Sequence, residues 1–473
     1  MAPWASIAIG LLLALLALTV YSATRVDRYY DHFVWQAAAF LEGQVAIRYP
    51  VEGIVGESGN SYFQDVLPIA TGDGVPRGLL PFPPLPAVVL VPFVALWGLA
   101  TDDQAIFTIL AAVDVALCWW MLGRLAVRPV IRIGGTLFLA LGTVFWFTAQ
   151  VTTTWYQAHI VAMGLTLLAI GIAVGADPRA PHASVDDEAS GGAHGFEAPA
   201  ELDARPRSPF ALDFRQFFAG LLFGLACTAR LSVVFAAPYF AFVGSGGDWL
   251  RRGWSAGLGA GLPIVGLALY NVVTTGDVFH PAYDYLYTLE ANGYPTLGYH
   301  PEWSVEDPRY IPQNLGIALF GTPDIFPSTL PDSLAVRATP VCVEPGETRG
   351  LLDVSCPLAV PRDTGMSVIL TSPAYLLAIS ALRSRPWSRL VTGTVIAIVA
   401  VSIVNLMHFS QGWVQFGYRF SNDVAPFAVL LVAIGAERLA RRHAWGLPLA
   451  AGLLVVSIAI NLWGVLWSVL LGW

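Results

Sequence analysis

Two stretches of the chain carry residue types at spacings that chemistry at a membrane surface would use. In the first, residues 25–44 read RVDRYYDHFVWQAAAFLEGQ and set two carboxylates, Asp27 and Asp31, just past a hydrophobic segment. A carboxylate placed there can take a proton from a hydroxyl as a general base. Asp is also among the best helix N-cap residues, so base and cap both stay open for Asp31. In the second, residues 411–427 read QGWVQFGYRFSNDVAPF. The planar donor fork of Arg419 suits phosphate oxygens. Asp423, four residues on, also fits a plain helical ion pair with it.

Other polar groups could complete such a site. Arg230 interrupts the apolar run GLACTARLSVVFAAP, where a charge is costly and must face a partner or a polar cavity. It is either a second phosphate ligand or half of a structural pair with Asp114, itself read as structural. His159, in QVTTTWYQAH, could orient a phosphate or a sugar hydroxyl, or simply hydrogen-bond between helices. Asp65, in SYFQD, is either a sugar or metal contact or a solvated loop acid. Trp35, Tyr62, Trp155, Tyr156 and Trp413 offer rings that stack on sugars, although Trp and Tyr also belong at membrane interfaces. With His32 and Gln415 beside the charged residues, the candidate substrate-binding set is His32, Asp65, Trp155, Tyr156, His159 and Gln415.

The elements that must position these residues are membrane spans. Of the 473 residues 56% are hydrophobic and only 12% charged, and the apolar residues come in long runs between polar loops. That composition describes a multi-span membrane protein. The net charge of -8 lies largely in loops, and no basic tract interleaved with aromatics exists, which excludes nucleic acid as a partner. All 25 basic residues are Arg, which suggests a GC-rich prokaryotic genome. The run from Pro3 to Ser22 lacks a basic n-region and is too long for a signal core, so it reads as a retained anchor.

Further spans are expected near 103–122, 133–150, 157–175, 255–275, 367–382, 390–408, 422–439 and 446–470, with two ambiguous stretches at 84–100 and 216–243. Reading 84–100 as re-entrant and 216–243 as two short helices, with the N-terminus inside, puts fifteen arginines on the cytoplasmic side and satisfies the positive-inside rule. The result is an all-α integral membrane bundle of about 11 crossings, with residues 25–44 as a helix along the surface. Residues 1–175 form an N-terminal module whose first outer loop is 23–102. Residues 176–213, rich in Ala, Pro, Gly and acids, read as a disordered cytoplasmic linker. Helices of 214–275, a second outer loop at 276–366 and C-terminal helices of 367–473 follow.

Cys342 and Cys356 share the second outer loop, where an oxidising exterior allows a disulfide. No CxxC or HExxH spacing is present, so no metal ligands are assigned. The outer acids leave room for a divalent cation, which the spacing does not demand. No internal repeat is visible.

Seven stretches resemble, in order, the GT-C superfamily of polytopic glycosyltransferases, in its bacterial RgtA/B/C/D-like or family-39-like branch. They are YDHFVWQAAAFLEGQ (30–44), LLPFPPLPAVVLVPFVALWG (79–98), TTTWYQAH (152–159), AGLLFGLACTAR (219–230), LYNVVTTGDVFHPAY (269–283), TGMSVILTSPAYLL (364–377) and GWVQFGYRFSNDVAPF (412–427). The resemblance implies a GT-C-type bundle that moves a sugar from a polyprenyl-phosphate donor to an extracytoplasmic glycan, lipid or protein acceptor, with inversion. It matches Asp31 to the catalytic base, with Asp27 second, and places the Pro-rich run near the carrier phosphate with Arg77 as nearest basic residue. Arg419 and Arg230 would neutralise the departing phosphate. The family often shows adjacent acids where this chain has Asp31 followed by His32. A transporter or lipid flippase, using Asp114 and Arg230, is the rival class; a catalytically lapsed scaffold is the third.

Overall fold

The computed structural model describes residues 2–27, 31–48, 65–69, 75, 77–177, 210–281, 302–330, 339–342, 346–383, 386–410, 412 and 414–473. Tyr62, Trp413 and most of the expected linker at 176–213 lie outside the described residues. The described chain is mostly helical. Its helices are α1 (Pro3–Thr24), α2 (His32–Leu41), α3 (Leu85–Trp97), α4 (Asp103–Leu122), α5 (Pro129–Leu141), α6 (Phe145–Val151), α7 (Thr154–Ala176) and α8 (Phe214–Cys227). They continue with α9 (Tyr239–Phe242), α10 (Trp249–Thr275), α11 (Ile311–Phe320), α12 (Val368–Thr371), α13 (Ala378–Arg383), α14 (Arg389–Met407), α15 (Ala425–Arg442) and α16 (Gly446–Leu471). Strands are few and short: β1 (Ile47–Arg48), β2 (Leu67–Ile69) and β3 (Arg77–Leu79) pair antiparallel in the order β1-β3-β2 within the first loop.

Six helices, α1, α4, α7, α10, α14 and α16, are long and apolar enough to cross a membrane, and the α5–α6 pair, bent by 48°, makes a seventh if it is one span. The protein is therefore membrane-embedded. The other expected spans take shorter or broken forms. At 367–382, Pro373 starts a 3-10 turn between α12 and α13. At 422–439, α15 carries Glu437, Arg438, Arg441 and Arg442 at its end. The stretch 216–243 is a hairpin of α8 and the short 3-10 and α9 turns, with Arg230 in extended backbone at the break. Gln216 Nε2 donates to Phe240 and Val243 carbonyls at 2.7 and 3.0 Å, so the hairpin closes back on its own start.

The helix α3 has 13 residues, a length of about 20 Å at 1.5 Å per residue, short of a ~30 Å hydrocarbon core. Its neighbours tell which end it occupies. Trp119 near the end of α4 donates to the Ser6 carbonyl at the start of α1 at 2.7 Å, and Arg25 after α1 binds Asp102 before α4 at 2.9 Å. These helices are antiparallel, so the intervening segment leaves and returns at one end of the bundle. The opposite end collects arginines: Arg132 donates to the Trp119 carbonyl, and Arg128 and Arg441 both bind Glu437.

Close helix packing here uses small residues. A Cβ on Gly220 would lie 2.0 Å from the Ala256 carbonyl oxygen, and one on Gly224 2.5 Å from that of Ala260. The GxxxG of α8 thus lets α10 approach to backbone contact, where van der Waals packing substitutes for the missing hydrophobic drive in lipid. Gly224→Ala is expected to cost about 1–3 kcal/mol, as overpacking does. Gly257→Ala, where a Cβ meets open space, leaves the melting temperature in detergent unchanged.

Candidate functional site

The first turns of α7 connect two polar clusters. Successive helical residues point about 100° apart, so TWYQAH sends side chains in several directions from one place.

On one side is an acid cluster. Gln157 Nε2 donates to Asp103 Oδ2 at 2.6 Å, Thr154 Oγ1 meets His32 Nδ1 at 2.7 Å, and the Trp155 indole N–H donates to Asp65 Oδ2 at 2.8 Å. The N-caps of α2 and α4 add two further acids, Asp31 and Asp102. Asp102 caps α4 in the usual way, accepting from the Ala105 amide at 2.8 Å. Asp31 stands at the N-cap of α2, yet its side chain makes no cap hydrogen bond, so the capping role does not account for it. Burial pushes the Asp31 carboxyl above the usual range, and the Asp102 charge adds to that. Asp27 is exposed and paired with Arg25 at 3.1 Å.

The Pro-rich run reaches this cluster through Phe82, whose ring lies 6.1 Å from His32, 6.2 Å from Phe33 and 6.4 Å from Trp155. Asp65 is not a solvated loop acid: it is 5% exposed and holds a left-handed φ of 65°.

On the other side, Asp423 is the centre. Its carboxylate accepts from His159 Nδ1 at 2.8 Å, Arg230 Nε at 3.2 Å, Ser232 Oγ at 2.8 Å and Asn405 Nδ2 at 3.0 Å. The expected helical pair with Arg419 does not form, because residues 419–423 are a 3-10 turn leading into α15. The expected Arg230–Asp114 pair does not form either. Asp114 is buried between α4 and Gly164 of α7, and its Oδ2 has no hydrogen-bond partner.

Arg419 and Arg230 each lie against the ring of Phe420, with guanidinium carbons 5.1 and 4.9 Å from its centroid. Arg419 also lies 5.8 Å from the Tyr156 ring. It has no carboxylate partner among the described residues. Around the same plate three buried polar atoms have no partner: Arg419 Nε, Tyr418 Oη and His159 Nε2. Rings of Tyr418 and His159 lie 5.7 and 6.4 Å from Phe420. Buried polar groups are rarely left unpaired, and a water, an ion or a polar ligand would each satisfy these three.

Several expected substrate contacts have other work here. Gln415 is buried and accepts the Arg419 amide at 3.0 Å while donating to the Thr364 carbonyl at 3.1 Å, which fixes the turn that carries Arg419. The Tyr156 hydroxyl donates to the Val414 carbonyl at 3.2 Å, and its ring is 3% exposed. Trp155 packs edge-on to His32 and Phe82. Cys342 and Cys356 are joined, with Cα atoms 4.9 Å apart, so these thiols do not serve a metal. The residues missed from the sequence are Tyr418, Phe420, Ser232, Asn405, Asp102, Asp103 and Gln157; DD before the apolar run at 103 was the readable signal.

Asp423→Ala would strand Arg230 and His159 without their carboxylate, an expected loss of about 3–5 kcal/mol, checked by thermal melting in detergent. Comparison of the chain with protein-family models, with curated proteins and with solved structures gives no match, so the reading of the site rests on its geometry.

Proposed function

We propose that this chain is an inverting membrane glycosyltransferase of the GT-C type, with about 11 crossings, a cytoplasmic N-terminus and an outward-facing site in the cell membrane. Its donor is a polyprenyl-phosphate-linked sugar and its acceptor an extracytoplasmic hydroxyl. The observation that supports the reading is the Phe420 ring, against which Arg230 and Arg419 both lie, Arg419 without a carboxylate partner among the described residues. A phosphate would satisfy both guanidiniums at once.

The acceptor oxygen attacks the anomeric carbon and its proton passes to Asp31. The bond from that carbon to the phosphate oxygen breaks, and the electron pair leaves with the phosphate, whose charge Arg419 and Arg230 stabilise. Burial and the Asp102 charge strengthen Asp31 as a base, since both favour its protonated form. His32 and Asp65, tied to the start of α7, fix the wall beside Asp31.

A transporter or flippase is the second reading, favoured by the unpartnered Asp114 carboxylate inside the bundle. The two readings separate on variants. In the transferase, Asp31→Asn lowers turnover of a polyprenyl-phosphate sugar by about 10²- to 10⁴-fold, the range for a general base, whereas Asp114→Asn does not. In the transporter the order reverses. Mass spectrometry of lipids retained in nanodiscs tests the donor directly, and only bulk phospholipid after feeding with the donor would sink the assignment.

The raised Asp31 carboxyl also sets a pH dependence. Activity requires the ionised form, so the acidic limb of the rate profile lies above the ordinary carboxylate range. Asp102→Asn, which keeps a good cap, moves that limb to lower pH.

A further inference from the structure

One acid and one imidazole beside the phosphate seat play no part in the reaction above. Glu306 lies in the second outer loop and His408 directly after α14. The two segments are zipped together by backbone bonds from Asp307 to Met407 and from Phe409 to Val305, both 2.8 Å. Asn314 adds a clamp, donating to the Leu406 and His408 carbonyls at 2.9 and 2.7 Å. This frame sets His408 Nδ1 3.2 Å from Glu306 Oε1. The same imidazole lies edge-on to Phe420, centroids 5.8 Å apart, against the ring that carries Arg230 and Arg419.

Among the described residues, the charged groups acting on His408 include Glu306, Arg230 and Arg419, and the Phe420 ring also has Asp423, Tyr418 and His159 around it. Burial pushes the His408 imidazole down, and the two guanidiniums add to this against the pull of Glu306. Against partial desolvation, the hydrogen bond and charge of His408, with Arg230, bring the Glu306 carboxyl, on a side chain 56% exposed, below its ordinary value. Both directions favour a carboxylate beside a neutral imidazole at neutral pH, with the Nδ1 side of the ring turned to the acid.

We propose that Glu306 and His408 form a charge-responsive arm of this seat: His408 takes up a proton when a phosphomonoester binds and holds it as imidazolium against the phosphate. The inference rests on the reading that Arg230 and Arg419 bind phosphate. It adds a distinction between ligands. The sugar donor is a phosphodiester with one negative charge, whereas the departed carrier is a phosphomonoester with nearly two at pH 7. A second negative charge within a few ångströms favours the protonated imidazole, so the arm engages the product more than the donor. It makes carrier release pH dependent, slower in acid and faster in base.

The test is calorimetry on the full chain in nanodiscs at pH 7.5, in two buffers of different ionisation enthalpy, which counts protons taken up per binding event. Farnesyl phosphate is the phosphomonoester probe and its methyl ester the phosphodiester probe. Net uptake is expected with farnesyl phosphate and none with the ester. His408→Gln abolishes the uptake and weakens farnesyl phosphate about tenfold, the size of one charge-assisted hydrogen bond, and leaves the ester unaffected. Glu306→Gln reduces the uptake. Tight binding to the wild type without uptake, a measurement independent of any variant's folding, would overturn the arm and leave the phosphate seat standing. Absence of binding by either probe would overturn the seat itself, and inorganic phosphate binding as tightly as farnesyl phosphate would overturn its assignment to a lipid-linked ligand.

Discussion

The carboxylate of Asp423 holds one end of the bundle together. It gathers donors from α7, from the break after α8, from the 3-10 turn that follows and from α14, and its own turn leads into α15. In a low-dielectric interior an ionised acid persists only when it is paired and fully hydrogen-bonded, and equally a buried guanidinium needs its acid. Three stretches far apart in sequence, at 159, 230–232 and 405, are thereby held to one point. That point lies next to the Phe420 plate, so what stabilises the fold also fixes Arg230 where a ligand would need it. Arg419 stays outside this neutralisation and keeps its charge for something else.

Much of the architecture was legible in the sequence because lipid imposes simple rules on length and charge. The spans at 103–122, 390–408 and 446–470 fall within a residue or so of α4, α14 and α16. The arginine asymmetry argued that 84–100 does not cross, and the antiparallel contact of α1 with α4 places both ends of that loop together. Less visible was the breaking of apolar runs. Residues 367–382 have span-like composition, but Pro373 divides them, and the Gly142–Val144 break bends α5 against α6. Composition measures transfer to lipid, not backbone continuity, so such interruptions escape it.

The site was legible in its members and not in its pairings. Arg230, Arg419, His159 and Asp423 were all conspicuous as charges or polar groups in apolar surroundings. The sequence offered Arg230 the nearest mid-span acid, Asp114, and offered Asp423 the neighbour four residues away. Neither of these alternative pairings forms: the segment at 419–423 winds as a 3-10 turn, and Asp423 binds His159 and Arg230 instead. Tyr156 was read as a ring to stack on sugar and Gln415 as a substrate contact; in the structure Gln415 accepts the Arg419 amide and the Tyr156 hydroxyl donates to the Val414 carbonyl. Glu306 and His408 carried no signal, since their meeting depends on a zipped pairing of two distant loops.

The opening of α7 has a consequence for how the chain can change over time. Thr154, Trp155 and Gln157 address the acid cluster, while Tyr156 and His159 address the cation plate. These are angular settings of a single screw, each residue turned by about 100° from the last. Inserting or deleting one residue there would preserve at most one cluster and rotate the other out of phase. The two clusters are geared to one another through the phase of one helix, so the length of the stretch 154–159 is fixed by both at once.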